Sequence, residues 1–144
     1  MSNVIETIKT RSSTRGYTAE ALTEEELNIL IHAGLKAPTA ANRQEIHFTV
    51  LQGGNPILTE LEDDKNRLRN IVSPPHNFYY EAPTVVIISA DRDYRWSALD
   101  AGIAVENMAL AAEGLGLGNL IIGCIYDAIR GEKRDYYAKA LKLP

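Results

Sequence analysis

The sequence predicts a mixed fold of helices and short strands in one domain over residues 1–144, and three observations predict it. Residues 84–90 form an apolar, β-branched run of strand type. Helix-start signatures recur: Thr23 with Glu26 and Ser97 with Asp100 read as capping boxes, and Asn55-Pro56 as an N-cap followed by proline. Between Leu99 and Leu115 the apolar residues Leu99, Ile103, Val105, Met108, Leu110 and Leu115, with alanines among them, cover most of a helix circumference. Such a helix is expected to be buried on nearly all sides, by a thick core or by a partner subunit.

Taken in order, Val4 to Thr10 reads as a short helix with Val4, Ile5 and Ile8 on one side. The capping box at Thr23 opens a second helix to about Leu35, with Leu27, Leu30, Ile31 and Ala33 inward. A strand starts near Ile46, Gly53-Gly54 turns the chain, and a third helix runs to about Ile71. In that helix Ile57, Leu61, Leu68 and Ile71 point inward, and residues 60–69 give a charged outer face. Residues 73–83, with aromatics Phe78, Tyr79 and Tyr80, suit either a lid or pocket wall or an ordinary surface loop. After the strand at 84–90, the central helix ends at Gly114, Gly116 and Gly118. Residues 120–125 then read as a buried strand, and 130–141 as a last charged helix.

Composition is that of a folded protein: 45% apolar and 24% charged residues, a net charge of −4 and one cysteine. The acidic balance gives no support for nucleic-acid or acidic-membrane binding. The single cysteine excludes an internal disulfide framework. The N-terminus has no apolar leader core and no stretch is a membrane span, so a soluble cytoplasmic protein is expected.

Several chemistries are absent. Gly114, Gly116 and Gly118 follow a helix instead of opening one, so they do not form a dinucleotide phosphate turn. Gly118 and Gly123 are spaced as in a P-loop, but Cys124 stands where lysine is required. His32, His47 and His76 form no ligand pair, so no metal is expected, and no Gly-x-Ser-x-Gly elbow exists. Cys124, beside Ile122 and Ile125, reads as a small buried hydrophobe rather than a nucleophile.

Two polar loops remain. Arg11, Ser12, Ser13 and Arg15 gather two forked guanidinium groups and two hydroxyls, a set that suits a phosphate, although arginines near a helix end are often solvated surface. Asn42, Arg43 and Gln44 offer amide donors and acceptors that suit the edge of a flat heterocycle or, more commonly, turn and capping duties.

Together these segments resemble the FMN-dependent nitroreductase family. Arg11-Ser12-Ser13-Thr14-Arg15-Gly16-Tyr17 resembles its N-terminal Arg-x-Ser-x-Arg/Lys-x-aromatic signature. Ala37-Pro38-Thr39-Ala40-Ala41-Asn42-Arg43-Gln44, then His47-Phe48, is similar to its Ala-Pro-Ser-x-x-Asn-x-Gln-Pro-Trp segment, with Glu45-Ile46 in place of Pro-Trp. Ala82-Pro83 leading into Val85-Val86-Ile87 resembles its second strand. Residues 100–118, running into Ile121-Ile122-Gly123, resemble its central helix and the strand that follows.

The resemblance implies an α+β fold, a sheet flanked by helices as an α-β-α sandwich, with a central buried helix at a homodimer interface. It implies an FMN cofactor and ping-pong hydride transfer from NADH or NADPH to flavin, then to a nitroaromatic, quinone or similar acceptor, with no side chain acting as acid or base. Arg11 would hold the FMN phosphate, helped by Ser12 and Ser13 along the phosphate and ribityl chain. Arg15 would lie near N1 and O2 of the ring, where a fixed cation favours the reduced flavin. Pro38, Thr39 and Ala40 would line the cofactor from the partner chain. Asn42 would bond the ring edge, and Gln44 belongs to the same cofactor-binding segment. Ile122 and Gly123 would pass close to the flavin, glycine because backbone must approach it.

Family members continue past the position of Pro144 with another strand and a segment that embraces the partner and adds cations at the phosphate. Without two such contacts, at roughly 1.5–3 kcal/mol each, FMN binding would weaken by a few orders of magnitude. The alternative function is therefore a flavin-free dimeric binding or structural protein that retains the fold.

Overall fold

The structure, a computed structural model, describes residues 4–71 and 73–144. Met1–Asn3, part of the stretch read for a leader, lie outside the described residues. The elements in chain order are α1 (Val4–Thr10), α2 (Glu24–Leu35), β1 (His47–Gln52), α3 (Pro56–Leu68), β2 (Thr84–Ser89), α4 (Ser97–Gly114), α5 (Tyr126–Ile129) and α6 (Arg134–Ala140). A 3-10 turn spans Ala40–Asn42, and β1 pairs with β2 in a two-stranded sheet. The chain divides into two compact units. The first comprises Met1–Arg15, Leu22–Phe48 and Ile88–Ile121; the second comprises Gly16–Ala21, Thr49–Ile87 and Ile122–Pro144.

In the first unit, α2 begins with the expected capping box. The Thr23 hydroxyl accepts from the Glu26 amide, and the Glu26 carboxylate accepts from the Thr23 amide at 2.8 Å. Gly34, near the end of α2, lets that helix close on its neighbours. A Cβ there would stand 2.8 Å from the Phe48 ring and 2.9 Å from the Met108 sulfur on α4. The Asn107 amide of α4 donates to the Ala33 carbonyl, fixing the same crossing. Ala37, Ile46 and Ala104 form the buried core, with Phe48, Ile88, Ala101 and Ile103 packed on it.

The central helix departs from expectation at its start and around its girth. Trp96 occupies the N-cap with no side-chain bond, and Ser97 is already helical. The Ser97 hydroxyl donates instead to the Asp91 carbonyl at 2.6 Å, and Asp100 accepts from a distant amide, so there is no capping box. Helix α4 buries Asp100, Ala104, Ala109 and Ala112 but leaves Leu99 56% exposed, so the chain by itself does not cover it on all sides. Val4, Ile5 and Ile8 on α1 are exposed as well.

The second unit is built on α3, whose N-cap Asn55 accepts from the Ile57 amide ahead of Pro56. Leu58 and Leu61 enter a core with Leu51, Tyr79, Ile87, Ala128, Tyr137 and Leu141. The expected charged outer face is corrected here: Asp64, Lys65 and Asn66 are buried, while Leu68 is exposed. Each buried group is paired, as a charge out of water requires. Lys65 is bonded to Asp127 at 2.9 Å, and Asp64 accepts from Tyr137 at 2.5 Å and Lys133 at 2.9 Å.

Residues 73–83 are a pinned loop. Asn66 exchanges two bonds with the His76 backbone, and Tyr79 is in the core. The expected strand at 120–125 is absent. A lone parallel bridge joins Ser13 to Asn119, and the backbone then turns, with the Tyr126 amide donating to the Gly123 carbonyl. A strand needs a continuous neighbour, and one bridge does not extend into a ladder. The expected last helix at 130–141 is shorter and follows α5, because the chain turns at Gly131, where a Cβ would press on the Asp127 carbonyl at 3.1 Å.

Candidate flavin site

The first polar loop is the continuation of α1. The Arg11 amide still donates to the Thr7 carbonyl at 3.0 Å, after which the chain extends. Ser13 forms its bridge to Asn119, and the Thr14 amide donates to the Asn119 carbonyl at 2.9 Å. Gly118 makes room for this attachment: its Cβ position lies 2.8 Å from Thr14 Cγ2 and 3.1 Å from Thr14 Cβ. Arg11 is half-buried, while Ser12, Ser13 and Arg15 are exposed. Among the described residues neither arginine takes part in an ion pair. Asn119 donates its side-chain amide to the Ala109 carbonyl, and its buried Oδ1 has no donor among the described residues.

The second loop passes Pro38 and Thr39 into the 3-10 turn. The Thr39 hydroxyl accepts from the Gln44 amide at 2.9 Å, closing the loop, and the Asn42 amide donates to the Thr39 carbonyl. Ala41, Asn42 and Gln44 have φ of 55°, 53° and 54°, a left-handed conformation that non-glycine residues adopt only when held there. The holding groups come from residues 91–100. Asp100, 2% exposed, accepts from the Ala40 amide at 2.9 Å, and the Tyr94 hydroxyl donates to the Ala40 carbonyl at 3.1 Å. Arg43 lies 4.2 Å over the Tyr94 ring and pairs with Asp91 at 3.1 Å. Pro38, Asn42 and Gln44 are exposed, and Thr39 and Ala40 half-buried.

Nine of the eleven expected site residues thus lie in the first unit, on these two loops. The other two, Ile122 and Gly123, belong to the second. Ile122 packs against that unit's core, and among the described residues, sequence neighbours aside, nothing lies within 4 Å of a Cβ on Gly123. Cys124 is a free thiol, half-buried rather than fully buried. The supporting groups Asp91, Tyr94 and Asp100, and the Thr14–Gly118 contact, carry no sequence signature. The only available signals were the glycine run and an acid in the first turn of a helix, which capping alone accounted for.

The Nitroreductase family model matches residues 8–144. The chain belongs to the Nitroreductase family. It is 30% identical to the FMN reductase [NAD(P)H] of Bacillus subtilis, an alignment covering 100% of this chain and 61% of that protein. The chain therefore spans about three-fifths of that relative's length. Among solved structures it is similar to a nitroreductase with bound FMN from Bacteroides fragilis, at 32% identity and a TM-score of 0.89, covering 100% of this chain and 82% of that one. A nitroreductase with bound FMN from Desulfitobacterium hafniense superposes with a TM-score of 0.88 at 25% identity, covering 100% and 83%. The α+β fold class expected from the sequence is that of these structures.

Proposed function

We propose that this chain is an FMN-dependent oxidoreductase of the nitroreductase type, one domain over residues 1–144, acting in the cytoplasm as a homodimer. When bound, FMN supplies ping-pong chemistry, taking a hydride from NADH or NADPH and passing electrons to a nitroaromatic, quinone or similar small acceptor. The observation that carries this reading is the pair of guanidinium groups, Arg11 and Arg15, on one loop lashed to Asn119 without ion-pair partners among the described residues. Two unpaired cations beside two exposed hydroxyls fit a phosphorylated, electron-accepting ligand, and the names of the relatives supply the flavin.

In this reading Arg11 grips the phosphate with Ser12 and Ser13, and Arg15 stabilises negative charge on the ring. Pro38, Thr39 and Ala40 wall the flavin held by a second copy, Asn42 bonds the ring edge, and Gln44 closes the same segment. By resemblance Ile122 and Gly123 are assigned to the flavin too. The exposed apolar residues of α1 and Leu99 of α4 support a second copy covering them, since such side chains stabilise an assembly when buried. No helix among the described residues is long and apolar enough to cross a membrane. A lone cysteine fits a reducing compartment.

The test is to incubate the protein with FMN, mix it anaerobically with NADPH or NADH, and follow the flavin absorbance. Bleaching that a quinone or nitroaromatic reverses is the expected result. A colourless protein, or bound flavin that neither nucleotide reduces, would sink the reading and leave a flavin-free binding protein of this fold.

A further inference from the structure

Asp100 is a buried carboxylate on α4 with no part in the chemistry described above. It does not cap its own helix, although it stands in the first turn, where the helix dipole favours an anion. Its Oδ2 reaches instead across sixty positions of sequence to the Ala40 amide. The carbonyl of the same residue accepts from Tyr94. Ala40 is thus gripped on both its polar backbone atoms from residues 91–100. The two residues after it, Ala41 and Asn42, stand in left-handed backbone that costs energy for any side chain bearing a Cβ. Asn42 tolerates that conformation better than most residues, but Ala41 and Gln44 do not, and the loop has no glycine to adopt it freely. Bonds from the Asn42 and Gln44 amides to Thr39 and from the Arg43 amide to the Ala40 carbonyl close the turn from within, and Asp100 and Tyr94 anchor it from outside.

We infer that Asp100 and Tyr94 are positioning residues that hold the Thr39–Asn42 turn in the conformation that receives the flavin. This rests on the FMN reading above. Asp100 makes a charge-assisted bond, the stronger of the two, and Tyr94 a neutral one. Arg43, stacked on the Tyr94 ring and paired with Asp91, keeps the Tyr94 hydroxyl aimed at Ala40. Removing the Asp100 carboxylate frees the Ala40 amide and lets Ala41 and Asn42 relax to ordinary backbone, which withdraws the Asn42 amide from the ring edge.

The experiment uses two readouts on the full chain, FMN dissociation constants by flavin fluorescence and amide hydrogen exchange without FMN. Asp100→Ala is expected to weaken FMN binding by about tenfold to hundredfold, and Tyr94→Phe by about twofold to tenfold, from the usual worth of such bonds. Asp100→Asn, which keeps an acceptor oxygen, recovers most of the loss. Without FMN, the Ala40 amide exchanges faster in Asp100→Ala while the amides of residues 11–15 keep their wild-type rates. Tyr94→Phe, which removes one oxygen, serves if Asp100→Ala does not fold. Exchange that accelerates throughout the first unit with FMN affinity unchanged would show a merely structural role and overturn the inference. Variants that bind FMN as tightly as a flavin-binding wild type overturn this inference alone. A wild type that binds no FMN overturns the function proposed above and this inference with it.

Discussion

Gly118→Ala probes the attachment of the phosphate-loop candidate most directly. The new Cβ would stand 2.8 Å from Thr14 Cγ2, 2.9 Å from Thr14 Oγ1 and 3.1 Å from Thr14 Cβ. Non-bonded carbons prefer about 3.5–4.0 Å, so the overlap is about 0.7–1.2 Å. Three atoms up to the Thr14 branch point are involved, so no side-chain rotation relieves it, and the backbone that donates to Asn119 must shift. Overpacking of this kind costs about 1–3 kcal/mol. For a chain of this length that lowers Tm by about 4–12 °C. Because the shift moves Arg11 and Arg15 with the loop, FMN affinity is expected to fall by about tenfold or more as well. Differential scanning calorimetry and a flavin titration read the two effects. Thr14→Ala removes Oγ1 and Cγ2, so the double variant should be less destabilised than the sum of the two single ones. Additive losses, or a Gly118→Ala protein with wild-type Tm and FMN affinity, would refute the packing argument.

Arg11→Ala should raise the FMN dissociation constant by about tenfold to a hundredfold, the worth of one charge-assisted contact. Arg15→Ala should lower the midpoint potential of bound flavin, read by spectroelectrochemistry, because the reduced ring loses a fixed cation. Leu99→Lys places a charge on the exposed apolar side of α4, and gel filtration should show the assembly dissociating to monomer. Two carboxylates give stability opposite dependences on pH. Burial works against ionisation of Asp64, but bonds from Tyr137, Lys133 and Arg67 outweigh it and hold the carboxyl below the usual range. Its contribution is complete above about pH 4 and lost as pH falls through the lower folded value, so Asp64→Asn should flatten the acid side of a Tm profile. Glu62 is shifted upward, first by burial, which outweighs the opposing influence of the nearby Phe78 and Tyr79 backbone amides. Its contribution is present below about pH 4 and lost as pH rises through the raised folded value. Glu62→Gln should therefore raise Tm at neutral pH and change it little in acid.

The parts of this fold that local chemistry specifies were legible in the sequence. The Thr23–Glu26 box, the Asn55-Pro56 start and the β-branched run of β2 carry their structure in adjacent residues. What was not legible depends on partners far along the chain. Asp100 has the same spacing from Ser97 as a capping acid, and only the fold shows that Ala40 claims it. Lys65 looks like solvated surface until Asp127 is found beside it. Residues 120–125 have strand composition, but composition does not supply a neighbouring strand, and the described residues offer only Ser13 at Asn119. The two candidate loops were singled out by residue type and resemblance. The groups that shape them, Thr14 with Gly118 and Tyr94 with Asp100, are an ordinary glycine, hydroxyls and one acid in sequence terms. Their importance lies in distances of about one hydrogen bond or less than one van der Waals contact.

The proposed function requires this chain to hold flavin in a two-copy assembly. Gel filtration of the protein loaded with FMN, with absorbance recorded through the visible flavin bands across the peak, tests it most directly. Yellow protein eluting as a dimer with about one flavin per subunit is the expected result, the stoichiometry of one Arg11–Arg15 loop per chain. A colourless peak would contradict the flavin assignment, and a colourless monomer would also contradict the reading of the exposed apolar residues on α1 and α4.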